Sequence, residues 1–196
     1  NDDGLGCFQF QSVVSFNTIA NDTYLVRFGG YGAGEAGAGT IDVTYSTVLL
    51  NDDCVDAIPA TDGANNFDSS QATTDGMEFL TNVCNSVGNN QMENDIWFIY
   101  TATQDGNCRM STCGTPNFDS QIAVYSNTNC PADPADVITC NDDDGSCLAN
   151  GLSSTLSFAA TNGTDYLIRI GGYSQFDGGP GVLTIDYTSA AVENVQ

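Results

Sequence analysis

The chain has 196 residues, enough for one domain with a sizeable core or for one domain and part of another. Its 25 acidic residues stand against three basic ones, and the net charge of −22 excludes nucleic acid and anionic membrane surfaces as expected partners, because both repel such a chain. The hydrophobic fraction of 41% argues against a disordered protein.

Eight cysteines occur in a sequence that has no histidine and no paired CxxC motif, so a zinc site is not expected. Disulfides are the natural use for these cysteines, and they predict a secreted, extracellular or cell-surface location. The sequence shows neither a signal peptide nor an apolar run of membrane-spanning length. We therefore expect a mature or excised segment of a secreted precursor, with no membrane insertion.

Short apolar stretches with a period of two predict β-strands along the chain, first within residues 1–48 and then within residues 51–190. The clearest are NDIWFIYTA, SQIAVYS, STLSFAA, DYLIRIGGY and VLTIDYT, and two weaker ones are EFLTNV and NCRMSTC. Asp-Gly, Asn-Gly and Gly-Gly pairs separate them as turns do, and no segment keeps a helical period. The pattern predicts an all-β fold, an antiparallel β-sandwich of jelly-roll type.

The two ends of the chain repeat one another at an offset that stays near 140 residues. In chain order, the matching pairs are NDDGLGC (1–7) with NDDDGSC (141–147), VVSF (13–16) with TLSF (155–158), YLVRFGGY (24–31) with YLIRIGGY (166–173), and TID (40–42) with TID (184–186). Matches in the same order over nearly fifty residues indicate a duplication.

The duplication predicts three parts: the C-terminal half of a preceding repeat at residues 1–48, a complete repeat at 51–190, and a tail at 191–196. Three strands in the half-repeat cannot close a two-sheet core, so their open edges need a complement. The complement would be the complete repeat, a neighbouring chain, or a first half removed by cleavage. The alternative is that residues 1–48 were simply cut from a longer tandem protein. Both interpretations stay open.

The stretches NDDC, NDIWFIYTA, FDSQIAVYS, CNDDDG and YLIRIGGY resemble those of bacterial extracellular β-sandwich repeats similar to pre-peptidase C-terminal domains. The resemblance covers most of residues 51–190, and its second half recurs in 1–48. It implies a non-catalytic jelly-roll module of the kind found in tandem in large secreted and cell-surface proteins. It also implies calcium, glycans or protein partners as the classes of ligand.

Runs of aspartate in predicted loops suggest a structural Ca²⁺ site, because calcium takes six to eight oxygen ligands and closely spaced Asp and Asn supply several. NDDDG lacks the spacing of an EF-hand loop. The candidate ligands are Asp142, Asp143 and Asp144 with Asp119, and as a second group Asp52 and Asp53. The alternative is that these side chains form Asx-turns and solvated loop charge.

The matching Arg27 and Arg169 are predicted to pair with carboxylates and bridge strands or modules, with glycan binding as the alternative. Tyr31 and Tyr173 follow Gly-Gly and are candidate ligand-binding residues that would stack on a sugar ring; the alternative is packing against the sheet. Trp97 lies in a stretch that is apolar on both faces. This predicts a central strand with one face in the core and the other covered by a loop or a partner.

All eight cysteines are predicted to form disulfides, although the sequence leaves their pairing open. Cys108 and Cys113 bracket RMST and are placed to close a local hairpin. Cys54 and Cys84 would tie the opening of the complete repeat to its next segment.

Cys130, Cys140 and Cys147 then remain in the complete repeat, and they make two bridges only if Cys7 joins them. Otherwise Cys7 and one other thiol are free or bond outside the chain. A covalent link between the half-repeat and the complete repeat, or between subunits, is therefore a hypothesis.

The absence of histidine and lysine removes the Ser-His-Asp triad, the Cys-His pair and the Ser-Lys dyad, so no enzyme is predicted. The first hypothesis is a structural and interaction module of a secreted surface protein or extracellular fibre, which assembles head to tail with copies of itself or with neighbouring repeats. The alternative is a carbohydrate-binding accessory module of a secreted enzyme or adhesin. The third, a hydrolase, needs a carboxylate pair in a cleft, and the sequence nominates none.

Overall fold

The computed structural model describes residues 12, 14, 18, 22–30, 32–44, 49–80, 84, 90–147 and 151–188. The chain divides into two compact units, Asn1–Ser46 and Thr47–Gln196. All strands assigned among the described residues belong to the second unit. Among all the residues that the structure describes, no helix has the length and apolar character needed to cross a membrane. The boundaries of the repeats remain a prediction.

The described part of the second unit contains nine strands and two short 3₁₀ turns, the latter at Cys54–Asp56 and Pro134–Asp136. The strands are β1 (Ile58–Ala60), β2 (Gly63–Asp68), β3 (Glu93–Thr101), β4 (Gly106–Ser111), β5 (Ser120–Tyr125), β6 (Val137–Asn141), β7 (Thr155–Ala160), β8 (Asp165–Gly172) and β9 (Pro180–Thr188).

The strands form two sheets, one in the order β1-β3-β8-β5-β6 and the other in the order β2-β9-β4-β7. Every pairing is antiparallel except that of β1 with β3. The prediction of an all-β, antiparallel sandwich is therefore confirmed. The consecutive strands β8 and β9 lie in different sheets, and each of them has a neighbour on both sides.

Burial explains why some strands were visible in the sequence and others were not. In β7, Leu156, Phe158 and Ala160 are buried while Ser157 and Ala159 are exposed, which is the period of two expected of a strand with one solvent face. The weak candidate NCRMSTC contains all of β4 except its first residue, but in EFLTNV the described residues 78–80 lie outside any strand. The strands β1, β2 and β6 were not predicted from the sequence, because they are short or expose polar residues.

The main core lies between the two sheets and is built from buried apolar residues of both, such as Phe98 and Ile168 from one and Met110 and Ile185 from the other. A second cluster covers the outer face of the five-stranded sheet, where Trp97 packs with loop residues that include Phe79 and Cys54. The prediction for the Trp97 strand is therefore correct: one face of β3 is in the core, and loops cover the other.

The disulfides are Cys54–Cys130, Cys84–Cys140 and Cys113–Cys147. The suggested pairs Cys54–Cys84 and Cys108–Cys113 are wrong. Cys54 and Cys84 each bond instead to the segment around β6, 76 and 56 residues away, so two bridges fasten the loops that cover the outer cluster.

The prediction that Cys108 forms a disulfide is also wrong, because its side chain points from β4 into the main core and is a free, fully buried thiol. Cys113 lies beyond the end of β4 and bonds to Cys147. Because Cys130, Cys140 and Cys147 are all occupied, they leave no bridge for Cys7, which itself lies outside the described residues.

Candidate functional sites

The two arginines that match in the sequence, Arg27 and Arg169, lie in opposite surroundings. Arg169 is the central residue of a buried polar pocket: its Nε donates to Asp95 Oδ2 at 2.8 Å, and the side chains of both residues are fully buried. Its remaining nitrogens donate to three backbone carbonyls that precede β3 in the chain, those of Gly76, Met77 and Met92. The guanidinium also lies over two aromatic rings, 5.3 Å from that of Phe79 and 5.4 Å from that of Trp97.

The carboxylate in this pocket is held from several directions. Asp95 also accepts hydrogen bonds from the backbone N–H groups of Asp75 and Gly76. Burial raises the pKa of Asp95 to about 6, against the opposing effect of the Arg169 charge. The carboxylate is thus ionised at neutral pH, and the predicted role of Arg169 as a bridge between strands matches this geometry, because β8 and β3 are neighbours.

An acidic loop cluster forms where the start of β5 meets the end of β6. Because the two strands are antiparallel, with Ile122 opposite Asn141, Asp119 before β5 comes close to Asp142 and Asp143 after β6. One carboxylate oxygen from each of these three residues lies within 4.8 Å of the others. Asp177, from the connection between β8 and β9, completes the surroundings: its Oδ1 accepts from the backbone N–H of Asp119 at 3.4 Å.

The electrostatics of this cluster favour a cation. Burial raises the pKa of Asp119 to about 7, and the neighbouring charges of Asp142, Asp143 and Asp177 add to that rise. Asp119 Oδ1 is buried and has no hydrogen-bond partner among the described residues. Three carboxylates supply part of the oxygen shell that Ca²⁺ takes, and carbonyls or water would supply the rest. The residues present therefore fit a hard divalent cation.

The other predicted calcium ligands make local contacts. Asp144 accepts from the backbone N–H and the hydroxyl of Ser146, which is an Asx-turn, and these bonds lower its pKa. The carboxylate also lies near Cys113 and Cys147, but those sulfurs are joined in a disulfide and are not available to a metal. Asp52 accepts from the backbone N–H of Thr73 at 2.7 Å.

No further carboxylate among the described residues joins Asp52 and Asp53 in a cluster. Asp53 is exposed, and its side chain does not cap the first 3₁₀ turn, which it precedes. The structure thus brings Asp119 together with Asp142 and Asp143, as the sequence suggested, and leaves Asp144, Asp52 and Asp53 in turns and loop contacts. Asp177 was not predicted as a ligand, because its position after the repeated Gly-Gly-Tyr gives no metal signal of its own.

The aromatic candidates lie on the connection between β8 and β9. Tyr173 is half-buried, and its backbone N–H donates to the carbonyl of Asp119 at 3.0 Å, beside the acidic loop cluster. Phe176, which the sequence analysis did not single out, is 86% exposed on the same connection. Tyr31 lies outside the described residues.

A segment of the first unit, residues 22–44, carries the same turn as the connection between β8 and β9. The N–H of Glu35 donates to the carbonyl of Gly32, as that of Asp177 does to Ser174. The carboxylate of Glu35 accepts from the N–H of Gly32 at 3.0 Å, and that of Asp177 accepts from the N–H of Ser174 at 3.1 Å.

The glycine that precedes each turn is under the same constraint. A Cβ on Gly30 would lie 2.3 Å from the carbonyl oxygen of Glu35, and a Cβ on Gly172 would lie 2.1 Å from that of Asp177. Neither position has room for a side chain. The repeated sequence therefore folds locally in the same way at both places.

The apolar side chains of this segment are nevertheless exposed, unlike their counterparts in β8 and β9. The exposed fractions are Leu25 99% against Leu167 0%, Phe28 68% against Ile170 0%, Val26 45% against Ile168 0%, Tyr24 41% against Tyr166 5%, and Ile41 53% against Ile185 0%. No described residue between 22 and 44 is assigned to a strand. Arg27, which corresponds to the enclosed Arg169, is also exposed.

Comparisons with known proteins bear on the fold alone. No family model matches the chain, and no characterised protein matches it in sequence. Among solved structures it is similar to the pre-peptidase C-terminal domain of a collagenase from Bacillus anthracis, with 10% identity, coverage of 66% of this chain and 94% of that one, and a TM-score of 0.39.

It is also similar to PliG of Aeromonas hydrophila, a periplasmic inhibitor of g-type lysozyme, with 13% identity, the same coverages of 66% and 94%, and a TM-score of 0.35. The chain is thus similar to a pre-peptidase C-terminal domain, the kind of domain that its sequence motifs resemble. The described part of its second unit is an all-β domain with three disulfides, which are typical of proteins outside the cytoplasm.

Proposed function

We propose that the chain is a non-catalytic structural and interaction module of a secreted, repetitive surface protein or extracellular fibre, and that it assembles by β-strand complementation. The observation that carries this proposal is the exposure of Leu25, Phe28 and Val43 in a segment whose sequence counterparts form the centre of a sandwich. Several large apolar side chains exposed within one short segment favour an interaction site.

The energetics favour a complement for this segment. Full burial of one large apolar side chain contributes about 1.5–3 kcal/mol. Burial of Leu25, Phe28 and Ile41 alone would then offset the ordering of several backbone residues, each of which costs about 1–2 kcal/mol. Main-chain hydrogen bonds to a neighbouring sheet would add specificity, as they do whenever an extended segment is added to a sheet.

Assembly is tested with the intact chain by light scattering across a concentration series. We expect oligomers that dissociate when Leu25→Asp and Phe28→Asp are combined, because the charges would have to be buried with the segment. Phe176→Asp is the matched control, since it places a charge on an exposed aromatic position of the second unit. A monomer at every concentration would contradict the proposal.

A bound Ca²⁺ ion in the acidic loop cluster is the second part of the proposal. It is supported by the three carboxylates of Asp119, Asp142 and Asp143 and by the buried Oδ1 of Asp119. The ion would hold together the loops before β5, after β6 and between β8 and β9. We expect CaCl₂ to raise the melting temperature more than NaCl of equal ionic strength, and Asp119→Asn to remove that difference. Equal effects of the two salts would contradict a calcium site.

A carbohydrate-binding accessory module is the second candidate function. It is favoured by the exposed ring of Phe176 and the half-buried Tyr173 on one connection, because sugar rings stack on exposed aromatic side chains. A glycan array probed with the chain and with Phe176→Ala separates the two functions. Binding that needs Phe176 supports the carbohydrate module, and an array without binding leaves the assembly proposal as the stronger one.

A further inference from the structure

The position of β8 and β9 shows what kind of complement the exposed segment needs. β8 lies between β3 and β5 in one sheet, and β9 lies between β2 and β4 in the other. Neither strand is at an edge. A segment that copies β8 and β9 therefore copies the interior of a sandwich, and the edge of a finished sandwich would bury only one of its sides.

The charges of the segment add two chemical conditions. Arg169, the counterpart of Arg27, is enclosed by Asp95 and aromatic rings. Asp186, the counterpart of Asp42, forms a two-point ion pair with Arg109 of β4, at 3.0 Å and 2.6 Å. A complement must therefore offer a buried carboxylate in one sheet and an arginine in the other.

We infer that the partner of residues 22–44 is a half-sandwich of the kind formed by residues 49–140, which has β1 to β5 and all of β6 except its last residue, and which lacks its own last three strands. That half carries both required charges, Asp95 and Arg109, and leaves open the places between β3 and β5 and between β2 and β4. This inference rests on the proposed function. It adds that the segment binds in an interior slot of its partner and not at a sheet edge.

The sequence of residues 22–44 differs from that of β8 and β9 in two places, and these differences indicate how the natural partner should differ from residues 49–140. Gly39 stands where Leu183 is fully buried, and the loop after Glu35 is two residues shorter than the loop after Asp177. The natural partner should therefore carry a larger apolar side chain than this chain does opposite Leu183. The half made of residues 49–140 is a close stand-in that leaves this one space unfilled.

The cysteines supply a covalent readout. By the sequence repeat, Cys7 corresponds to Cys147, which bonds to Cys113. A half-sandwich that ends at residue 140 keeps Cys113 and lacks Cys147. If the segment enters the slot, the thiols of Cys7 and Cys113 come together, and oxidised glutathione takes up their two electrons and two protons to give a disulfide and two reduced glutathione molecules.

The experiment mixes the intact chain with a polypeptide of residues 49–140 in a glutathione redox buffer. A second chain of residues 141–188 serves as the reference complement. We expect a one-to-one complex with a Cys7–Cys113 bridge in the peptide map. We expect Arg27→Ala in the intact chain to weaken it by about a hundredfold or more, because a buried carboxylate would lose its partner. Asp22→Ala, an exposed change in the same segment, is the control and should bind as the unaltered chain does.

The outcomes separate this inference from the proposed function. If the polypeptide binds residues 141–188 but does not bind an intact chain that self-associates, the interior slot is overturned and assembly by sheet edges is kept. A chain that binds neither itself nor the polypeptide overturns both. Equal affinities of the Arg27→Ala and Asp22→Ala chains for the polypeptide would show that no enclosed arginine governs the contact.

Discussion

Arg169 is a full positive charge held without solvent contact inside a protein of net charge −22. Removing an arginine from water carries a large desolvation penalty, which is offset only when its donors are satisfied and a counter-charge is close. The carboxylate of Asp95, three backbone carbonyls and two aromatic rings meet that need. Arg27, at the matching position of the first unit, is exposed. The burial of Arg169 is therefore due to the elements packed around β8 and not to the residues next to it in sequence.

Loss of the buried carboxylate should be far more costly than loss of an exposed one. We expect Asp95→Ala to lower the free energy of unfolding by about 3–5 kcal/mol, since it leaves Arg169 buried without a counter-charge. The matched control is Asp186→Ala, which breaks the half-exposed pair with Arg109 and should cost about 0–1 kcal/mol. Urea unfolding of the two variants measures both, and similar losses would contradict the stabilising role given to the pocket.

Among the elements, strand connections that are far apart in sequence meet at one end of the sandwich. Asp119 before β5, Asp142 and Asp143 after β6, and Asp177 between β8 and β9 come together because β5 lies between β8 and β6. The connection between β8 and β9 thus has two roles: its own turn is closed by Asp177 and Ser174, and it closes one side of the acidic loop cluster.

The raised pKa of Asp119 makes stability depend on pH in a chelator-containing buffer. The pKa of Asp119 is about 7 in the folded chain, against 3.8 for an aspartate in the unfolded chain. Between these two pH values, the folded state therefore keeps a proton that the unfolded state has lost. Stability therefore falls as pH rises from about 4 to about 7, and the full penalty is present above about pH 7.

Asp119→Asn should remove this penalty. Because Asp119 keeps some solvent contact, we expect only part of the full shift, about 1–2 kcal/mol in favour of the variant near pH 8 and no difference near pH 3. Thermal unfolding of both chains across this range provides the measurement. A variant that is less stable near pH 8 would show that the carboxylate is held by attractive contacts.

Over the molecule as a whole, charge and covalent bridges act in opposite directions. A net charge of −22 repels itself in the compact state. The three disulfides among the described residues restrict the unfolded chain, and two of them fasten loops over the outer cluster. Added salt should therefore stabilise the second unit even without a specific cation. At about 0.5 M ionic strength the Debye length falls to about 4 Å, so most of the repulsion between surface carboxylates is screened.

We expect the melting temperature to rise steadily between about 10 mM and about 500 mM NaCl, because the Debye length shortens from about 30 Å to about 4 Å over that range. The rise should persist in Asp119→Asn, because it comes from the entire surface and needs no single site. Differential scanning calorimetry measures it, with sucrose as a control that leaves charge unscreened. A melting temperature independent of salt would mean that the surface charges are too far apart to interact.

The fold class could be predicted without the structure, because alternation of apolar and polar residues is local: the stretches around Trp97, Ile122, Phe158 and Ile168 are strands. The sequence also indicated that Asp119 meets the NDDDG loop. The short and polar β1, β2 and β6 carried too little of the alternating pattern to be found.

The partners of individual residues, in contrast, depend on tertiary contacts. Arg169 meets Asp95 from 74 residues away, and the bridges join cysteines separated by 76, 56 and 34 residues. Strand order across two sheets sets these pairings, and no local pattern encodes it. For the same reason the prediction for Cys108 was wrong: its closeness to Cys113 in sequence says nothing about which face of β4 it occupies, and that face is the core.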